Sequence, residues 1–186
     1  MITKELSISE YSSYIVFITG GTKSGKSEFA EHLAKNLKKL SYVALSENNL
    51  DDKEWQYKIN LHQKRRPEDW KLIETTDLLN TLRKEEGALL IDSIGGFVMK
   101  SIDKDQNEWS TKMNSLISLL MKRKRITIIV GEQVGWSLVS EYKIGNTYIE
   151  RIGQLQKRIT KISKDNWLAI NGRAIKIDEI SIEIPT

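Results

Sequence analysis

The run Gly20-Gly21-Thr22-Lys23-Ser24-Gly25-Lys26-Ser27 constrains this chain more than any other. It fits G-x-x-x-x-G-K-S/T, the pattern of a phosphate-binding loop. Ahead of it, Tyr14-Ile15-Val16-Phe17-Ile18-Thr19 is an apolar, β-branched and aromatic stretch that reads as a buried strand. Behind it, from Lys26 to Leu40, Phe29, Leu33, Leu37 and Leu40 recur on one helical face. Strand, glycine loop and helix are the context in which such a loop works. Glycines let backbone N–H groups turn inward around phosphate oxygens, and the helix N-terminus adds a favourable dipole. Lys26 is expected to reach the β- and γ-phosphates, and the Ser27 hydroxyl to ligate Mg2+. An ordinary glycine-rich strand-to-helix turn is the competing reading, and it leaves the adjacent Lys26-Ser27 unexplained. Nucleotide binding by Gly20, Gly21, Thr22, Lys23, Ser24, Gly25, Lys26 and Ser27 is therefore predicted.

Strand and helix patterns alternate through the rest of the chain. Tyr42 to Leu45 reads as a second strand, and Asp51 to Arg66 as a helix that Pro67 would end. Trp70 to Glu74 is a short strand, Asp77 to Lys84 a helix, and Ala88 to Ile91 a buried strand ending in Asp92. A long helix is expected over Asn107 to Lys124, with Trp109, Met113, Leu116, Ile117 and Leu120 on its apolar face. Ile126 to Val130 follows as a strand, then a helix over Tyr142 to Ser163, then strands at Trp167 to Ile170 and Ala174 to Ile177. Ile180 to Ile184 alternates and reads as an edge strand or an ordered tail. This order argues for an α/β fold of the P-loop NTPase type, a mostly parallel sheet with helices on both faces. The length of 186 residues suits one nucleotide-binding domain, with residues 1–13 as a polar extension and 178–186 as a C-terminal tail.

Composition narrows the chemistry. The chain has no cysteine, which excludes disulfides and thiolate metal sites. No apolar run approaches the roughly 20 residues of a membrane helix. Met1 to Tyr14 lacks the basic start and apolar stretch of a secretory signal, so the cytoplasm is the expected location. The net charge is +4, with basic clusters at Lys35–Lys39, Lys64–Arg66 and Lys122–Arg125. Such clusters can bind nucleic acid, but they are more often solvated helix ends, and no nucleic-acid partner is expected. A modest positive balance also suits anionic substrates.

A second chemical position is Asp92. In P-loop proteins a carboxylate at the end of another strand helps hold Mg2+. The alternative for Asp92 is a loop carboxylate capping the next helix. Glu132 is a further candidate magnesium or base carboxylate. No Asn-Lys-x-Asp occurs, so the guanine-reading loop of switch GTPases is missing.

These motifs resemble those of a known family, the bifunctional adenosylcobinamide kinase/adenosylcobinamide-phosphate guanylyltransferases of cobalamin biosynthesis. That family has a Thr-Gly-Gly-x-x-Ser-Gly-Lys-Ser loop, matched by Thr19 to Ser27. Its Tyr-x-Ala-Thr strand compares with Tyr42-Val43-Ala44-Leu45. Its I-x-x-H-x-x-x-R-P segment compares with Ile59-Asn60-Leu61-His62-Gln63-Lys64-Arg65-Arg66-Pro67, with Trp70 and Glu74 following. Leu90-Ile91-Asp92 matches its acid-ending strand, and Glu132-Gln133-Val134-Gly135 compares with its Asn-Glu-Val-Gly turn. The similarity runs from about Tyr14 to Lys176. The C-terminal half departs from it. Ser140-Glu141 stands for Pro-Glu; Asn146-Thr147-Tyr148-Ile149-Glu150 stands for R-x-F-R-D and lacks both arginines; Gly153-Gln154-Leu155-Gln156-Lys157 stands for Gly-Arg-x-Asn-Gln.

The resemblance implies two reactions. In the first, a nucleoside triphosphate, ATP or GTP, phosphorylates the hydroxyl of the adenosylcobinamide aminopropanol arm, with Lys26, Ser27, Asp92 and Mg2+ supplying electrostatics. In the second, a histidine takes GMP from GTP and passes it to adenosylcobinamide phosphate. By the motif that histidine is His62, with Lys64 and Arg66 beside the nucleotide, and the family implies a homotrimer. From the residues alone two readings of His62 stay open. Neutral imidazole is a competent nucleophile near pH 7. Trp55, Ile59 and His62 also fall at i, i+4, i+7, as on the packed face of a helix. His32 lies beside the apolar face of the first helix and reads as structural. Trp55, Trp70, Trp109 and Trp167 read as core or interface, and Trp136 as a residue that can face a large apolar substrate. A different small-molecule P-loop kinase and a non-catalytic nucleotide-binding regulator are the alternative functions.

Overall fold

Ile15 to Ile18 bury every side chain, on both faces of the sheet they belong to, which is the signature of an internal parallel strand. The computed structural model describes residues 13–45, 67, 69–136 and 140–185. Its strands are β1 (Ile15–Gly20), β2 (Ser41–Ala44), β3 (Lys71–Glu74), β4 (Leu89–Asp92), β5 (Thr127–Glu132), β6 (Asp165–Ile170) and β7 (Arg173–Lys176). They form one sheet in the order β3-β2-β4-β5-β1-β6-β7. All pairings are parallel except β6 with β7. That last pair turns at Asn171 and Gly172, both at positive φ, as a two-residue hairpin requires.

Helices cover both faces. On one side α1 (Lys26–Ala34) lays Ala30, Leu33 and Ala34 against Val16, Ile18, Leu90, Ile128 and Val130. On the other side lie α2 (Leu78–Lys84), α3 (Gly95–Met99), α4 (Gln106–Met121) and α5 (Lys143–Ile162). They pack Leu78, Phe97, Trp109, Leu116, Ile152 and Leu155 against Ile15, Phe17, Ile91 and Ile129. Asp105 and Glu108 close a capping box at the start of α4, and Asp77 caps α2. The α/β architecture and mostly parallel sheet are those the alternating pattern predicts.

The elements depart from the sequence reading at the end of the first helix and at α3, and they decide between the two readings of the C-terminal tail. The first helix ends at Ala34 rather than Leu40, although Leu37 and Leu40 are still buried, because the chain leaves the helix without leaving the core. The short helix α3 falls in the stretch between Asp92 and Asn107, to which the sequence reading assigns no element. Ile180 to Ile184 form no strand; this tail stays exposed beyond a single 3-10 turn at Ile177–Glu179. The expected helix over Asp51 to Arg66 lies outside the described residues.

Arg151 sits two positions past Ile149, the second of the lost arginines of α5, and is buried. Its guanidinium donates to the carbonyls of Ser101, Ile102 and Lys104 and lies 5.4 Å from the Trp109 ring centre. It thereby ties together the carbonyls of the turn between α3 and α4, where the Ser101 carbonyl also accepts from Lys104 N–H. Arg123 works similarly after α4, donating to the carbonyls of Glu85 and Gly87; burial pushes its pKa down to about 10. The Lys122–Arg125 cluster is thus partly an internal clamp. Replacing Arg151 with Ala removes three hydrogen bonds to this turn and the packing on Trp109, so the variant is expected to unfold about 2–4 kcal/mol more easily, as read by urea denaturation.

Candidate nucleotide and phosphoryl-transfer site

The loop Gly20 to Gly25 links β1 to α1 at the carboxyl ends of the parallel strands. Gly20 is pressed so tightly against β6 that a Cβ there would collide with the Ala169 carbonyl, and it would stand 2.6 Å from Ser24 Oγ. Only glycine permits that approach. Lys23 has φ 56° and Gly25 has φ 93°, so the loop takes two left-handed residues. Alternating right- and left-handed backbone of this kind aims successive N–H groups into one concavity. The hairpin turn braces it from outside, Gly172 N–H donating to the Ser24 carbonyl at 3.0 Å. The N-cap of α1 is Gly25, which offers no side-chain cap, and the first bond of the helix runs from Phe29 N–H to the Gly25 carbonyl at 2.9 Å. The Lys26 ammonium curls over the loop and donates to the Gly21 carbonyl at 3.0 Å. Ser27 follows it in the first turn of the helix. Thr22 and Lys23 are exposed at the loop tip.

Two more strand ends face this loop. Glu132, the last residue of β5, is in register with Gly20, and Gln133 N–H donates to the Gly20 carbonyl at 2.9 Å. Asp92 ends β4, on the far side of β5. Asp92 does not cap α3, whose N-cap is Ile94 with no side-chain bond. Its Oδ2 instead accepts a 2.6 Å hydrogen bond from the Tyr42 hydroxyl. Glu132 Oε1 accepts from Ser93 Oγ, while Oε2 is buried without a hydrogen bond of good geometry. Burial raises the Glu132 carboxyl above the usual carboxylate range. The Asp92 charge adds to the rise, while the Lys26 ammonium and nearby backbone N–H groups of Glu132 and Gly95 offset part of it. The Tyr148 hydroxyl crowds the same spot from α5, and its pKa is raised by burial and by the Glu132 charge.

Among the described residues no three or more His, Cys, Asp or Glu gather into a metal cage. Magnesium does not need one: it is commonly held by one or two carboxylates, waters and the substrate's phosphates. Asp92 and the Ser27 hydroxyl offer hard oxygen donors of that kind at the carboxyl ends of the strands, and the buried Oε2 of Glu132, which lacks a hydrogen-bond partner, is a further oxygen there. The donor set fits the cation.

Other sequence candidates fall elsewhere. His62, Lys64, Arg66 and Trp55 lie outside the described residues. His32 is exposed on α1 rather than packed, because its neighbours Glu31 and Leu33 take the inward positions. Trp70, Trp109 and Trp167 are buried as expected. Trp136 is 65% exposed just after the Gly135 turn. Tyr42, Ser93 and Tyr148 were missed as site residues; each is placed by strand order or helix packing that no local spacing reveals.

Sequence comparison decides the family. A sequence model of the family described as cobinamide kinase / cobinamide phosphate guanyltransferase matches residues 16–177. The chain belongs to that family. It is 26% identical over 181 residues to the bifunctional adenosylcobalamin biosynthesis protein CobU of Escherichia coli (strain K12), covering 88% of this chain and 99% of that one. It is 29% identical over 150 residues to CobP of Pseudomonas aeruginosa, a protein of the same description, covering 77% and 86%. Among solved structures, a prototypical ATPase from the type III secretion system of pathogenic bacteria superposes with a TM-score of 0.56 at 12% identity. That match covers 84% of this chain and 51% of the ATPase chain. The flagellar accessory protein FlaH from Methanocaldococcus jannaschii gives 0.53 at 13% identity, over 89% and 74% of the two chains. These structures share the fold.

The position of Glu132 sets a pH dependence. With its folded pKa raised, native Glu132 holds its proton more tightly than the unfolded chain does. The burial penalty is therefore absent at low pH and grows as pH rises through the raised value. Thermal melts without metal or nucleotide, from about pH 4 to pH 8, are expected to show Glu132→Gln gaining stability over wild type as pH increases. A pH-independent difference would show that the carboxylate titrates normally.

Proposed function

We propose that this protein phosphorylates adenosylcobinamide and then transfers GMP from GTP to the product through a guanylyl-histidine. The observation carrying the reading is that the Lys26–Ser27 loop and Asp92 both lie at the carboxyl ends of the parallel strands, in a chain of this family. For the kinase step, the loop N–H groups and Lys26 hold the β- and γ-phosphates in line with the incoming hydroxyl. Ser27 and Asp92 would hold Mg2+, which when bound neutralises charge on the transferring phosphate. Positioning and electrostatics do nearly all the work in such a transfer, and these residues supply both.

For the second step we assign the nucleophile to His62. Its neutral ring nitrogen bonds to the α-phosphorus of GTP, the bond to the bridging oxygen breaks, and pyrophosphate leaves. A phosphate oxygen of adenosylcobinamide phosphate then attacks the same phosphorus, and the N–P bond breaks to regenerate the imidazole. Lys64 and Arg66 follow His62 closely enough in sequence to neutralise the phosphates. A homotrimer in the cytoplasm, with no nucleic-acid partner and one domain per chain, completes the proposal. Among the described residues no helix is long and apolar enough to cross a membrane.

Intact-protein mass spectrometry after incubation with GTP and Mg2+ tests the covalent step. Wild type is expected to carry a GMP adduct and His62→Ala none. An unlabelled wild type that still binds nucleotide would point to a kinase or a regulatory protein instead. Independently, Lys26→Ala is expected to lower the kinase kcat/KM by at least about 100-fold in a phosphoryl-transfer assay.

A further inference from the structure

Asp92 is fixed by a residue from a neighbouring strand. In the parallel β2–β4 pair, Tyr42 lies opposite Leu90, and Ala44 lies opposite Asp92. Tyr42 and Asp92 are thus diagonal neighbours on one face, two positions apart along the strands, a span an aromatic side chain can bridge. The Tyr42 ring is 2% exposed and packs in the cluster that contains Leu40, Leu90 and Val16. Its hydroxyl leaves that cluster at the carboxyl edge and donates to Asp92 Oδ2 at 2.6 Å. This is a short, charge-assisted bond made by a side chain with almost no freedom to move.

We propose that Tyr42 is a positioning residue for the divalent cation: it occupies one carboxylate oxygen of Asp92, fixes the rotamer, and leaves Oδ1 as the oxygen that meets the metal. The proposal rests on the reading of Asp92 as the magnesium carboxylate. Its physical basis is that a metal-binding carboxylate must be held in one orientation, and outer hydrogen bonds of this kind commonly alter metal affinity about 10- to 100-fold. Ser93, next in sequence, is anchored from the opposite side by Glu132, so the end of β4 is held from both β2 and β5. Tyr42 acts through Asp92 and need touch neither nucleotide nor cation.

The test is Mn2+ binding followed by electron paramagnetic resonance, with saturating GDP or ADP, in wild type, Tyr42→Phe, Asp92→Asn and the double variant. Tyr42→Phe keeps the buried ring and removes only the donor, and a thermal melt checks that it folds. The expected result is a Mn2+ dissociation constant raised about 10- to 100-fold by Tyr42→Phe, with nucleotide affinity in EDTA unchanged. The double variant is expected to bind Mn2+ no more weakly than Asp92→Asn alone, because the hydroxyl has nothing left to orient. Unchanged Mn2+ binding in Tyr42→Phe, with binding lost in Asp92→Asn, would overturn the positioning role and leave Asp92 as the ligand. Additive losses in the double variant would also overturn it. Unchanged binding in Asp92→Asn would remove the reading beneath it.

Discussion

The approach of Gly20 to the Ala169 carbonyl fixes where the site can be. A methyl group at position 20 would push β1 away from β6, and β1 is the strand that carries the loop. The same residue pairs with Glu132 across β5 and accepts a hydrogen bond from Gln133. One glycine therefore joins the loop to both flanking strands. The Gly172 N–H bond to Ser24 holds the loop from the hairpin side. A loop gripped at its root and its side can present N–H groups in a fixed array without spending binding energy to order itself, which is what phosphate recognition asks of it.

The sheet order then decides the electrostatics. Because β5 runs between β1 and β4, Asp92 is not the strand-end acid nearest the loop; Glu132 is. Two carboxylates and one ammonium share a poorly hydrated edge, and they divide roles by partner. Asp92 is half-buried and paired with a tyrosine hydroxyl, and it stays available to a cation. Glu132 is burdened by desolvation and by the Asp92 charge, so its ionisation depends on Lys26 and on whatever positive charge is brought to the site. A cation held at this strand end, as proposed, would be coupled to the ionisation of Glu132, each favouring the other.

Much of this was legible in the residues, and the gaps have physical causes. The phosphate loop could be read because its requirements are local: glycines at special backbone angles, then Lys26 and Ser27 in register. Asp92 could be read because a buried parallel strand ending in an acid is also a local pattern. The Tyr42–Asp92 bond could not, because it depends on β2 lying beside β4, and strand order is not written in either segment. Glu132 was visible as an acid of uncertain register; parallel pairing with β1 supplies that register. The first helix was overextended because Leu37 and Leu40 keep helical spacing while packing from non-helical backbone. His32 was misplaced for a related reason. Proximity to an apolar stripe does not say on which side of it a residue falls.

The departures of the C-terminal half also become partly intelligible. Position 133, where the family turn has an acid, is Gln133, and its amide donates to Gln156 Oε1 at 3.2 Å. Gln156 is 6% exposed and donates in turn to the Glu132 carbonyl at 2.8 Å. An acid at 133 facing this buried amide would be desolvated beside an already unfavourable Glu132, and two adjacent carboxylates at one strand end would repel each other. Moving the charge to 132 and making 133 neutral allows one acid to remain and lets a glutamine pair close the strand end. The strand end thus carries one carboxyl group, at Glu132, closed by the Gln133–Gln156 pair. The losses at Asn146 and Ile149 lie outside it. Asn146 bonds Ser140 across the start of α5, and Ile149 packs beside Gly135. Asn146 thus holds the entry to α5, and Ile149 packs against the turn that leaves β5.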